Sequence, residues 1–190
     1  GMSQSKFDHW PPGVPTHLPP VTRTLDDNLR RAAAESPDKT ALIYYGAGKT
    51  YAALDVEVTK IAAYLQTACG VAKGDRVGLY MQNAPQFIAA FYGVIRAGAI
   101  VVPINAMHRS DEVAYICNDA EVRTVLTAQD VVDQLLPLIT AGELEHVIAA
   151  HYAAELLETT MIELPDIITA PFAPLPAGVE DWAEVMAADL

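Results

Sequence analysis

Positive charge is what this sequence has least of. Its 190 residues carry 12 Lys and Arg against 24 Asp and Glu, a formal net charge of -12 with a pI near 4.6. A uniformly acidic protein is repelled by phosphodiester backbones and anionic bilayers, so nucleic acid is not an expected partner. Cysteine is scarce as well. Cys69 and Cys117 form no CxxC pair and fall in apolar helical patterns; that excludes a disulfide framework and suits two inert thiols in a reducing cytoplasm. The five histidines, His9, His17, His108, His146 and His151, match no HExxH-like spacing, so no metal ligand set is expected. None of the four serines lies in a G-x-S-x-G elbow, which leaves a nucleophile-elbow hydrolase without support. The first residues do not run from basic to apolar, so a secretory signal is not expected.

Apolar residues, by contrast, are plentiful: 52% of the chain is hydrophobic and 19% charged, the balance of a packed globular domain. Residues 75–105, DRVGLYMQNAPQFIAAFYGVIRAGAIVVPIN, read as strand, turn, helix, turn and strand within the length of one βαβ crossover. The strand covers 76–81. Asn83 suits a helix cap and Pro85 a first helical turn, and the helix over 86–97 sets Phe87, Ile88, Phe91, Val94 and Ile95 at helical spacing before Gly98. The β-branched run at 100–102 suits a strand covered on both faces. A membrane span over 87–104 has the required length. Arg96 inside it, with Gly93, Gly98 and Pro103 and the switch of periodicity, argues against that reading.

Around this unit the chain alternates. Residues 1–20 form a proline-rich arm, with WPPGVPTHLPP at 10–20, either a polyproline strap on the domain surface or an SH3-type ligand. A helix is expected over 24–34, capped by Thr24 with Asp26 and Asp27 in its first turn. A hairpin follows, with strands at 41–45 and 49–51, then a helix over 52–68 whose inner face is Leu54, Val58, Ile61, Ala62 and Leu65. Beyond residue 105 come a helix capped by Ser110 with Asp111 and Glu112 in its first turn, a strand at 124–127, a helix at 128–139 and a strand at 146–150. The expected fold is α/β: a doubly wound, mostly parallel sheet flanked by helices, with an N-terminal β-hairpin and a proline-rich arm. Residues 21–150 make the α/β unit, and 151–190 a proline-interrupted connector with a short terminal helix over 182–188.

Gly46, Gly48, Lys49 and Thr50 imitate a phosphate loop, but Ile43 stands where its first glycine belongs, and Tyr51 where the third glycine of G-x-G-x-x-G belongs. Candidate ligand contacts reduce to His108 and Arg109, in the loop 105–109 at the carboxyl end of a strand, where open α/β sheets bind ligands.

Several stretches in order resemble the N-terminal part of an acyl-CoA synthetase of the adenylate-forming (AMP-binding) superfamily. SPDKTALIYYGAGKTYAALD resembles its first core motif, and VIRAGAIVVPINAM its second. Asn118, Asp119 and Ala120 before a β-branched strand match the helix end that follows, and WPPGVP is similar to the arm of long-chain members. One departure is Ala53, where the family usually has the Glu of a capping box with Thr50. The resemblance implies a longer cytoplasmic enzyme, peripheral at the inner membrane in one version, that joins a long-chain fatty acid to CoA through an acyl-adenylate, using ATP and Mg. The phosphate loop, ribose-binding acid and C-terminal lysine of that chemistry have no match here. The chain is therefore expected to be an inactive fragment with no catalytic residue and no cofactor of its own, partnered by the remainder of the enzyme and prone to self-association through uncovered apolar surface. The alternatives are a short α/β binding or regulatory module and, within the family, an aryl- or amino-acid-adenylating enzyme.

Overall fold

The computed structural model describes residues 20–157, 163–171 and 173–188; the arm at 1–20 lies outside them except for Pro20. Helix α1 (Pro20–Glu35) is followed by β1 (Thr40–Tyr44) and β2 (Ala47–Thr50), an antiparallel pair. Tyr45 (φ 47°) and Gly46 (φ 85°) make its two-residue turn, the left-handed pair that matches the twist of a hairpin. Helix α2 (Tyr51–Thr67) follows at once, with the Thr50 hydroxyl accepting the Ala53 N–H at 3.1 Å. The cap therefore survives the loss of the capping-box Glu. Leu54, Val58, Ile61, Ala62 and Leu65 are its buried residues, the face read from periodicity.

Next come β3 (Arg76–Tyr80), α3 (Pro85–Arg96), β4 (Ile100–Ile104), α4 (Ser110–Asp119), β5 (Thr124–Ala128), a 3-10 turn (Val132–Leu135), α5 (Leu136–Thr140), β6 (His146–Ala150), a second 3-10 turn (Tyr152–Glu155), α6 (Asp166–Thr169), β7 (Val179–Asp181) and α7 (Trp182–Ala187). The last five strands form one sheet in the order β4-β3-β5-β6-β7, every neighbouring pair parallel. Alternate residues feed two cores. Val77, Leu79, Leu126 and Ile148 pack with α2, α3 and α7, whereas Tyr80, Val125, Val147 and Ala149 pack with α4 and α5. Helices thus cover both faces, as expected of a doubly wound sheet.

Several expectations are corrected. Helix α1 begins four residues before Thr24, so Asp26 is not an N-terminal acid; it reaches across to α3 instead. Ala84, not Asn83, occupies the cap position of α3, and Arg109, not Ser110, that of α4. The Ser110 hydroxyl donates to the Gln134 carbonyl at 2.7 Å. The β-branched strand β4 is an edge strand with Ile100 40% exposed, which is why Pro103 is tolerated in it. The doubly covered strand is β5, all five residues of which are buried. The helix expected over 128–139 is a 3-10 turn running into α5, and the connector contributes β7, a strand too short and too acidic to show in the sequence.

The inner face of α3 is also different. Ala89, Ala90, Gly93 and Val94 are buried, while Phe87, Ile88 and Phe91 are half-buried at its flank. Small residues let α3 lie close on α2: a Cβ at Gly93 would stand 2.4 Å from Ile61 Cγ2. At the far end of α3, Arg96 ties three helices together. Its side chain is 5% exposed and lies 2.8 Å from Asp26 of α1 and 2.8 Å from Asp55 of α2, with Nη1 donating to Thr59 Oγ1 at 2.9 Å. Gly98 (φ 82°) then takes the left-handed position that ends the helix. Residues 87–104 are thus most of a helix, a turn and a strand, and among the described residues no helix is long and apolar enough to cross a membrane.

Candidate functional site

In chain order the five parallel strands run 2-1-3-4-5 across the sheet, so the direction of winding reverses between β3 and β5. Ligands of open α/β sheets bind outside the carboxyl ends of the strands at such a reversal, because the two outgoing loops part there and leave a crevice. Gln82 follows β3, Gln129 and Asp130 follow β5, and His151 and Tyr152 follow β6.

These residues form one network. Tyr152 is fully buried; its phenolic oxygen accepts the Gln82 N–H at 2.9 Å and its hydroxyl donates to Asp130 Oδ1 at 2.8 Å. The Tyr152 N–H donates to Gln129 Oε1 at 2.9 Å, and Gln129 Nε2 donates to the Ala170 carbonyl at 3.1 Å. His151 Nε2 lies 3.2 Å from the same carbonyl, which accepts from it in the Nε2–H tautomer. Gln86, in the first turn of α3, sends its amide N–H to the His151 carbonyl at 3.0 Å. Burial raises the Tyr152 phenol well above its ordinary pKa, and the Asp130 charge adds to this against the opposing Gln82 N–H. The phenol therefore stays a neutral donor at any physiological pH.

Beside the network, a cavity of about 340 Å³ is bordered by Gln129, Asp130, Asp133, Ile167, Ala170 and Pro174. Amide and carboxylate groups there can accept from hydroxyl or N–H groups of a ligand. They do not suit a triphosphate. The turn from β3 into α3 contains no glycine, Pro85 removes an N–H from the first helical turn, and Asp130 and Asp133 face the space with negative charge. Among the described residues no group of three or more His, Cys, Asp or Glu is placed to hold a metal ion.

His108 and Arg109 follow the edge strand β4. The Tyr80 hydroxyl donates to the His108 carbonyl. His108 Nδ1 lies 2.9 Å from Glu112 Oε2, and the Arg109 N–H donates to Glu112 Oε1 at 3.1 Å. Both residues are thereby engaged in starting α4. The Arg109 N–H is the main reason the Glu112 carboxyl sits below its usual range, with His108 acting in the same direction. Because β4 runs parallel to β3 with Ile104 opposite Tyr80, loop 105–109 borders the same end of the sheet as the network; the Tyr80 phenol there is raised by burial, with Arg109 and Asp130 acting in opposite directions. Gln82, Gln86, Gln129, Asp130 and Tyr152 were missed by motif reading. Their signal was position: all but Gln86 stand one or two residues beyond a strand.

Burial pushes the Cys69 thiol up to about 12 and the Cys117 thiol up to about 11. Both are free and buried, as the apolar periodicity around them implied.

The model of the AMP-binding enzyme family matches residues 29–178. The chain belongs to the AMP-binding enzyme family. Among curated relatives, a long-chain-fatty-acid–CoA ligase of Bacillus subtilis (strain 168) is 39% identical over 118 residues, 62% of this chain and 21% of that protein. A long-chain-fatty-acid–CoA ligase of Escherichia coli O6:H1 is 30% identical over 156 residues, 82% of this chain and 28% of that one. Of solved structures, a Mycobacterium tuberculosis fatty acyl CoA synthetase is 28% identical with a TM-score of 0.61, matched over 81% of this chain and 30% of its own. Acetoacetyl-CoA synthetase from Streptomyces lividans is 25% identical with a TM-score of 0.69, over 87% and 25%. This AMP-binding chain thus spans between a fifth and a third of the length of each of these four proteins.

Proposed function

We propose that this chain is the N-terminal α/β layer of an acyl-CoA ligase that activates a long-chain fatty acid with ATP and Mg to an acyl-adenylate and passes the acyl group to CoA. The observation that carries this reading is the unbroken family match over 29–178 together with relatives whose names are long-chain-fatty-acid–CoA ligases. The layer's own part is to hold the carboxyl edge of the parallel sheet rigid, through Tyr152, Gln129 and Asp130, as one wall against which the rest of the enzyme packs. The residues of that edge do not suit a triphosphate, so the chain alone is inactive. Cytoplasmic location and peripheral association with the inner membrane belong to the same proposal. So does self-association of the chain through exposed Ile43, Met107 and Tyr115.

ATP–pyrophosphate exchange tests this reading. The 190-residue chain should give no exchange with any fatty acid, and the chain extended along its reading frame should give palmitate-dependent exchange. Exchange by the short chain would overturn the inactivity. Exchange by the extended protein with benzoate or amino acids, and none with palmitate, would replace the fatty-acid reading with aryl or amino-acid adenylation.

A further inference from the structure

A second cavity, of about 530 Å³, opens between the hairpin, α2, the turn after β6 and α7. Lys49, Glu57, Glu155 and Asp181 line it, and Trp182 and Met186 supply apolar surface. The Lys49 ammonium lies 2.9 Å from Glu57 and 2.7 Å from Glu155. One cation is thus shared between two carboxylates, and Asp181 leaves the cavity with three carboxylates to one ammonium. Gln86 also lines it and is 1% exposed. Its amide nitrogen is used by the His151 carbonyl, and its amide oxygen has no hydrogen-bond partner among the described residues.

His151 and Trp182, whose indole N–H has no hydrogen-bond partner among the described residues, also border the cavity, but with three carboxylates to one ammonium it is short of positive charge. A carboxylate or phosphate ligand would be repelled. A wholly apolar one would leave the buried Gln86 oxygen unpaired, which is costly. No three-group cluster suits a metal ion among the described residues. We propose that this cavity binds a small organic cation, a primary ammonium or guanidinium on a short apolar stem. Its charged head lies against Glu57, Glu155 and Asp181, an N–H reaches the Gln86 oxygen after a small side-chain shift, and the stem runs along Trp182 and Met186. Burial, with a smaller contribution from Glu155, holds Glu57 above the usual carboxylate range, while Lys49 and the nearby Trp182 N–H oppose them.

The probes are n-butylammonium and n-butylguanidinium, with n-butanol and butyrate as controls, titrated into the whole chain. The readout is the indole N–H signal of Trp182 in a nitrogen–proton NMR spectrum, assigned against the only other tryptophan, Trp10, by W10F. Both cations should shift the signal saturably and the controls should not. D181N keeps an oxygen for the Ala183 N–H that Asp181 now accepts at 2.9 Å, so α7 stays capped; it should weaken cation binding several-fold, as should raised salt. An equal shift with butanol, a shift that never saturates, or unchanged affinity in both D181N and E155Q would overturn the proposal.

Discussion

Two buried cations in this molecule are built alike and do different things. Arg96 and Lys49 each stand between two carboxylates on separate elements. Arg96 presents a planar fork, fills it with Asp26, Asp55 and Thr59, and is sealed at 5% exposure. Lys49 is a point charge, 15% exposed, on the wall of an open cavity. The fork suits a closed rivet because each of its donors has a fixed direction; the ammonium suits a wall because its donors turn freely. The same charge count thus produces a fastening in one place and an unsatisfied surface in the other.

The largest effect should come from the closed cluster. R96M leaves Asp55 without its partner and Asp26 with only the half-exposed Arg30, 3.1 Å away, and should cost ~3–5 kcal/mol, the range for breaking a buried ion pair, read as a lowered urea midpoint. K49M strands Glu57 and Glu155 in the same sense, but water entering the cavity screens them. Its cost should be smaller, about 1–3 kcal/mol. A loss for K49M equal to that for R96M would erase the distinction between rivet and wall.

The smallest effect is one of pH. Burial raises the folded-state pKa of Glu57 above the unfolded value. Between those two values the folded state holds the proton more tightly, so this group's contribution makes stability fall as pH rises through that window. E57Q removes the titration. The stability difference between wild type and E57Q should therefore shift towards the mutant on going from about pH 4 to 7, and a difference flat across that range would contradict the assignment. Lys49 acts at the other end. Burial lowers its pKa, but Glu57 and Glu155 together outweigh that and raise it, so its stabilising charge is kept at neutral pH and lost only as pH rises through the raised value.

How far the sequence could be read depended on whether a residue's partner lay nearby in the chain. The inner face of α2 was legible residue by residue, because Leu54, Val58, Ile61, Ala62 and Leu65 are apolar residues buried on one side of an amphipathic helix. The inner face of α3 was not. Hydrophobicity ranks Phe87 and Phe91 above Ala89 and Gly93, but the close approach of Ile61 reserves the interior for the small residues. In the candidate site, His108 and Arg109 drew attention by charge and loop position. The crevice itself depends on β5 pairing with β3 rather than with β4, which spacing along the chain does not reveal.

By itself the sequence determined the α/β class, the hairpin, the order of strands and helices along the chain, the inert cysteines and the family resemblance, since each rests on local periodicity, turn chemistry or contiguous motif. Only the tertiary structure decided the strand order, the addition of β7, the partners of Arg96 and Lys49, and the meeting of Gln82, Asp130 and Tyr152. Those features join residues up to 106 positions apart, and contacts over such distances are selected by packing and charge compensation in the folded chain rather than by any preference of the segments that make them.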